Sequence, residues 1–174
     1  MAPWYDSETC PYALWHLNDQ RQRIIDMTQR STELALLYEL CQSRFADIVD
    51  TYSLRLVQRR STWRSRRILL IGKHAALAIC VDDYDGAIWM VVAPMGHCLP
   101  KWSQAVDIEH VCAASGGSTS SISTLQPYDP YEEYCSIAME RFVHLVQACC
   151  LGILGGDRRG LQDALAWRRK ELGK

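Results

Sequence analysis

Residues 18–60 carry apolar side chains at steps of three and four, the spacing that places them along one face of an α-helix. The pattern repeats every seven residues, and neither proline nor glycine interrupts it. Asn18 followed by Asp19 suits a helix start, because Asn caps free N–H groups and acids favour the positive end of the helix dipole. We therefore predict one long amphipathic helix. Its apolar face would consist of Ile24, Met27, Leu34, Tyr38, Cys41, Phe45, Ile48 and Tyr52, with Ser31 at one position.

The spacing of the apolar residues changes after the helical region, where three short apolar runs cover residues 68–71, 75–81 and 87–93. The Asp85-Gly86 pair between the second and third runs favours a tight hairpin, because it tolerates positive φ angles. A sheet with one wet face would alternate apolar and polar residues, and these runs do not. They predict a three-stranded antiparallel meander covered on both faces. Residues 105–111 are a weaker candidate for a fourth strand.

The C-terminal part of the chain predicts two helices. Asp129 and Pro130 suit a helix start, and residues 131–150 are apolar around most of the circumference that a helix would have. Charged and polar residues interrupt this run often enough that we do not expect it to span a membrane. Asp157 then caps a last, basic helix.

Length and composition fit a single globular domain. Of the 174 residues, 48% are hydrophobic and 22% charged, which is the balance of a folded domain. The predicted fold class is α+β: a long N-terminal helix, a three- to four-stranded antiparallel meander and two C-terminal helices. The aromatic segment 1–17 is expected to pack on the body formed by residues 18–174. The Ser- and Gly-rich stretch 113–126 is expected to be a mobile loop.

The chain contains 8 cysteines, none of them in a C-x-x-C pair. Its first residues lack the basic and apolar regions of a secretory signal. We therefore expect an intracellular protein, cytoplasmic or nuclear and not secreted, with reduced cysteines. Most of these cysteines lie in apolar runs, where a free thiol behaves as a small hydrophobic side chain. No motif indicates a cofactor.

The candidate catalytic residues are Cys98, His97 and His110, although no motif of any specificity contains them. A nucleophilic Cys98 would need a base such as His110 within hydrogen-bond reach and an acid such as Asp107 to orient that base. As zinc ligands, these residues and Cys112 have an unusual spacing, because His97 and Cys98 are neighbours and would point apart in an extended chain. We therefore predict no metal site.

Arginines cluster between residues 55 and 67. A basic run with an embedded indole could bind phosphates while the ring stacks on a base, or it could direct nuclear import. The same cations could instead satisfy the last carbonyls of the long helix. The candidate nucleic-acid-binding residues are Arg59, Arg60, Trp63, Arg64, Arg66 and Arg67.

The long helix also suggests self-association. Its apolar face would extend about 42 Å at the helical rise of about 1.5 Å per residue. Seven-residue strands span only about 23 Å, so one meander could not cover it. Uncovered apolar surfaces of that length usually mark interfaces, and a symmetric homodimer is the commonest closed assembly. The expected interface residues are Leu34, Tyr38, Cys41, Phe45 and Ile48.

Three functional hypotheses follow from the sequence. The first is a non-enzymatic interaction or assembly module of regulatory character, which binds a second copy of itself through the long helix, or binds another protein. The second is a nucleic-acid-binding regulator that uses the arginine cluster. The third is a cysteine-dependent enzyme centred on Cys98.

Overall fold

The computed structural model describes residues 32–60, 65–82, 85–117 and 130–171. The chain divides into two compact units, Met1–Ala35 and Leu36–Lys174. Only residues 32–35 of the first unit are described, so the fold presented below is essentially that of the second unit. The predicted aromatic segment 1–17 lies outside the described residues, as does residue range 118–129 of the Ser- and Gly-rich region.

The first described helices are shorter than the sequence predicts. Helix α1 covers residues 32–44, and α2 is Ala46–Tyr52. Phe45 separates them, with φ −95° and ψ 6°. Helix α2 ends at Ser53, which has a left-handed conformation (φ 51°) and places its N–H group against the carbonyls of Asp50 and Val49. The prediction of one helix through residue 60 is therefore wrong.

An antiparallel sheet follows directly after Ser53. Its strands are β1 (Arg55–Arg60), β2 (Ser65–Ile71), β3 (Ala75–Asp82), β4 (Ile88–Pro94) and β5 (Val106–Asp107), and they are hydrogen-bonded in chain order. The three predicted strands are β2 to β4, so the mixed α+β class is confirmed, but the sheet has five strands rather than three or four. Gly86 has φ 74° in the turn before β4, as the Asp-Gly signal predicts.

Strand β1 corrects the interpretation of residues 55–60 as the end of the helix. It pairs with β2 alone and forms one edge of the sheet. Basic side chains are typical of edge strands, because their charges hinder pairing with another chain. At the opposite edge β5 has only two residues, and residues 108–111 of the predicted fourth strand belong to the helix Ile108–Ala114 instead. The reason is that Ile108, Val111 and Cys112 are buried at helical spacing.

The two faces of the sheet differ in packing. The inner face carries Ile68, Leu70, Leu77, Ile79, Val81, Met90 and Val92, all of them buried. On the outer face, Leu69, Ala78 and Cys80 are buried, whereas Val57, Ile71, Trp89 and Val91 are only partly buried. The expectation that both faces are covered is therefore met fully on one face and partly on the other.

The remaining helices are α3 (Ile108–Ala114), α4 (Tyr131–Leu145), α5 (Leu151–Leu154) and α6 (Arg158–Glu171). A 3-10 turn, Trp102–Gln104, precedes β5, and a π-helical turn, Val146–Cys150, joins α4 to α5. Helices α4 and α5 contact the sheet, and α6 packs on α3. Ala113 and Ala114 belong to α3, so the predicted loop does not begin at residue 113.

The helix Tyr131–Leu154 has 24 residues and is long and apolar enough to cross a membrane by length and composition. Core helices of soluble proteins meet the same criterion. Our expectation that this segment does not span a membrane therefore stays a prediction.

The predicted interface residues of α1 and α2 are core side chains. Cys41 and Phe45 are 0% exposed and Ile48 is 4% exposed within a single chain. Leu34 is buried as well, and Tyr38 is partly buried. Because these side chains are covered within a single chain, they do not require a second copy to cover them. The argument for self-association through these residues is thereby removed.

Candidate ligand pocket

A cavity of about 240 Å³ lies between β4, α3 and α4. Strand β5 pairs only with Val91 and Val92 of β4. Among the described residues, no strand lies beside the earlier part of β4 on this edge, and this leaves the space open. Helix α4 crosses this edge, and the Tyr134 hydroxyl accepts a 2.9 Å hydrogen bond from the backbone N–H of Ile88. This bond ties the helix to the strand beside an open space. We call this space the β4 pocket.

The walls of the β4 pocket divide into an apolar and a polar part. The apolar part consists of Ile88, Trp89, Met90, Ile108, Ala138 and Phe142, and the polar part of Asp107, Glu109, His110, Tyr134 and Arg141. Ligand sites commonly combine a mostly apolar lining with a few polar groups that orient the ligand.

His110 stands next to Asp107, one helical turn earlier, with 3.4 Å between Nδ1 and Oδ2. The distance qualifies as an ion pair when the ring is protonated, yet Nδ1 is buried and makes no hydrogen bond of good geometry among the described residues. We regard the pair as an electrostatic contact, since 3.4 Å is long for a hydrogen bond. The imidazole ring also packs on Trp167, with ring centroids 5.1 Å apart.

Two titratable groups of the pocket have pKa values shifted by their surroundings. Burial raises the pKa of Glu109, the nearby Asp107 raises it further, and His110 and Arg141 partly oppose this. Burial also raises the pKa of Tyr134, which keeps its hydroxyl protonated over a wide pH range. Asp107 therefore lies close enough to Glu109 to disfavour the negative charge of Glu109.

Arg141 is the most informative polar residue of the pocket. Its Nη1 atom is buried and has no hydrogen-bond partner among the residues that the structure describes. Buried polar groups in native proteins are nearly always paired, with protein atoms or with bound molecules. Arg141 also lines the pocket, so its guanidinium suits a hydrogen-bond acceptor supplied by a ligand.

A second cavity, of about 300 Å³, lies between the turn before β3, the loop after β4 and the start of α6. Lys73, Lys101 and Arg158 line it and are exposed, so solvent screens their charges. None of the described buried side-chain atoms without a partner lines this cavity. The β4 pocket is therefore the better candidate for a specific site.

The structure does not bring the predicted catalytic residues together in one pocket. Cys98 and His97 lie exposed in the loop after β4 and line neither cavity, whereas His110 lines the β4 pocket. The predicted neighbour of His110, Asp107, is indeed beside it. In the described part of the chain, no group of three His, Cys, Asp or Glu side chains could hold a metal ion.

Buried thiols dominate the described cysteines. Burial raises the pKa of Cys41 to about 12 and that of Cys80 to about 11. Such thiols stay protonated near neutral pH, and a protonated, buried thiol is a poor nucleophile. Their environment matches the interpretation of most cysteines as small hydrophobic core residues.

The arginine cluster is spread over different environments. Arg66 is buried, with 8% exposure, and its neighbour Arg67 is partly buried on the opposite face of β2. Arg59 and Arg60 lie in the edge strand β1, opposite Arg67 and Arg66 respectively. Trp63 and Arg64 lie outside the described residues. A phosphate-binding surface needs exposed cations, so Arg66 does not suit one, and the nucleic-acid hypothesis stays untested.

Sequence reasoning missed Glu109, Tyr134 and Arg141 as members of a site. Ala138 lies four residues after Tyr134, and Arg141 and Phe142 lie three and four residues after Ala138, which places them on one side of α4. A charged residue on the apolar face of a buried helix was the available signal. Comparisons with protein-family models, with characterised proteins and with solved structures gave no match, so the functional argument rests on the geometry of the molecule.

Proposed function

We propose that this protein is a non-enzymatic binding module whose β4 pocket holds a small organic ligand. The observation that carries the proposal is Arg141, which lines the pocket and whose buried Nη1 has no hydrogen-bond partner among the described residues. Leaving a buried donor unpaired costs about 1–3 kcal/mol. A ligand that supplies an acceptor removes this cost and adds burial of its own apolar surface.

The dimensions of the pocket limit the ligand. A volume of about 240 Å³ is below the range of drug-sized sites. We therefore expect a ligand smaller than a drug-sized molecule.

The composition of the pocket supports binding rather than nucleophilic catalysis. The residues that line it include no Ser, Thr, Cys or Lys. His110 with Asp107 could move a proton, but no Ser, Thr or Cys lies among the lining residues for this base to activate. Oriented polar groups on an apolar wall are sufficient for recognition.

Ligand-induced stabilisation tests the proposal. We expect some members of a library of small polar–apolar compounds to raise the Tm of the wild-type protein saturably. At a ligand concentration of one hundred times Kd the gain is about 2.7 kcal/mol. For a chain of this size this corresponds to a Tm shift of roughly 5–10 °C.

Two variants separate binding in the pocket from binding elsewhere. Arg141→Met removes the unpaired donor, and Ala138→Leu fills part of the cavity, because Ala138 is 3% exposed and lines it. Both should weaken binding at least tenfold. Arg159→Met, on the exposed face of α6, is the matched control and should bind as the wild type does. The proposal fails if no compound binds saturably, or if both pocket variants bind as well as the control.

Self-association is our second proposal, now on the outer face of the sheet. Val57, Ile71, Trp89 and Val91 are partly buried there. A second copy suits this face because the face is basic at the β1 edge, at Arg55, and acidic at the β5 edge, at Asp107. A two-fold axis parallel to the strands places the β1 edge of each copy over the β5 edge of the other.

The size of the outer face makes the expected dimer weak. Four strands cover about 19 Å in width and about 23 Å in length. This footprint is smaller than the roughly 800 Å² per partner of a stable interface. We therefore expect a light-scattering mass that rises above the 19.9 kDa of one chain as concentration increases. Val57→Glu should keep the protein monomeric, and a wild-type mass that stays constant up to millimolar concentration would end this proposal.

A further inference from the structure

The polar groups of the β4 pocket would pair with ligand groups of opposite charge. Arg141 presents a cationic donor whose buried Nη1 lacks an acceptor among the described residues. Asp107 and Glu109 present carboxylates, which accept hydrogen bonds and attract cations. A ligand with an acceptor alone would satisfy the guanidinium and bring a negative charge beside two acids. A ligand with a donor alone would leave Arg141 Nη1 unpaired.

The balance of charge in the pocket favours a ligand that carries both signs. With both acids ionised and His110 neutral, their negative charges exceed the single positive charge of Arg141. Burial and the proximity of Asp107 already raise the pKa of Glu109, which shows that negative charge is crowded there. An ammonium group beside Glu109 relieves this crowding, because an opposite charge favours the ionised carboxylate. A carboxylate beside Arg141 offers its two oxygens to the guanidinium.

From these requirements we infer that the ligand of the β4 pocket is a small zwitterion with an apolar body, of the class of the apolar α-amino acids. This inference rests on the proposed binding function and specifies the chemistry of the same site. The carboxylate pairs with Arg141, and the ammonium group pairs with Glu109 and Asp107. The side chain packs on the apolar wall formed by residues such as Met90 and Phe142. Leucine is an apolar α-amino acid small enough for a pocket of about 240 Å³.

Three probes with the same branched body test the inference by calorimetry on the full chain. These probes are L-leucine, 4-methylpentanoic acid, which lacks the amine, and 3-methylbutylamine, which lacks the carboxylate. We expect L-leucine to bind saturably and each singly charged analogue to bind at least tenfold more weakly. The reason is that each analogue leaves one of the two polar requirements of the pocket unmet.

Variants assign each charged group of the ligand to its partner. Arg141→Met should weaken L-leucine and 4-methylpentanoic acid at least tenfold and leave 3-methylbutylamine unchanged. Glu109→Gln should weaken L-leucine and the amine and leave the acid unchanged or tighter. The matched control Glu132→Gln, an exposed acid in the first turn of α4, should bind all three probes as the wild type does.

The possible failures of the two proposals are distinguishable. The zwitterion inference is overturned if either analogue binds as tightly as L-leucine and its binding is weakened by the Arg141 or Glu109 variant. The proposed binding function of the pocket is then still supported. The same conclusion follows if other small compounds bind in an Arg141-dependent manner and L-leucine does not. If no compound of any charge binds saturably, the proposed binding function itself is refuted and the inference falls with it.

Discussion

Replacing Phe45 with alanine is expected to lower the free energy of unfolding by about 3–5 kcal/mol. The ring is 0% exposed and lies at the junction of α1 and α2. Its removal forfeits the transfer energy of the aromatic ring and leaves a cavity that the neighbouring helices can fill only partly. Domains are stable by only about 5–15 kcal/mol, so this single change removes a large share of the total.

The backbone hydrogen bonds of Phe45 do not contribute to the expected loss of stability. Its N–H group donates to Cys41 O at 3.0 Å, and its carbonyl accepts from Val49 N at 2.8 Å. Alanine can keep both bonds, so the loss reports side-chain packing. The control is Gln42→Ala in α1, where the side chain is exposed and the expected change is within about 0.5 kcal/mol. Equal urea midpoints for the two variants would show that the buried face of the helix is assigned incorrectly.

Replacing Ile79 with alanine is expected to cost about 2–5 kcal/mol. Ile79 is fully buried on the inner face, in the middle of the sheet, opposite Ile68 on one side and Met90 on the other. These neighbours are held by strands on both sides and cannot move far into the space that the variant leaves. A cavity that cannot collapse accounts for the upper part of the range.

The matched control for Ile79 is the same substitution at Ile71, on the outer face. Ile71 is only partly buried, so less apolar surface returns to water in the variant and less cavity forms. We expect the loss to be about half of that at Ile79 or less. If urea unfolding gives equal losses, the outer face is packed as closely as the inner one. The proposal that a second copy covers the outer face would then lose its support.

The three central strands were predictable because their signals are local. Each is a short apolar run, and the Asp85-Gly86 pair marks the hairpin before β4. A glycine at positive φ is required there whatever packs on the sheet, so a few residues carry the information. The apolar face of α1 and α2 was predictable for the same reason, because helical spacing shows which side chains are buried together.

The end of α2 at Ser53 and the edge strand β1 were not predictable from local signals. Ser53 ends α2 in a left-handed conformation that non-glycine residues seldom adopt, and no proline or glycine marks the position. Residues 55–60 then pair with β2, and this pairing, rather than their own preference, makes them a strand. The same residues continue the helical pattern of the sequence equally well.

The candidate site likewise combines features that the sequence predicts with features that depend on tertiary contacts. The sequence alone determined that His110 and Asp107 lie close together, since they are three residues apart in the chain. It also determined that residues 131–150 form a buried helix. Only the tertiary structure decided that α4 crosses the open edge of β4 and places Arg141 beside Glu109. These contacts join residues far apart in the chain, and no local pattern encodes which helix face meets which strand edge.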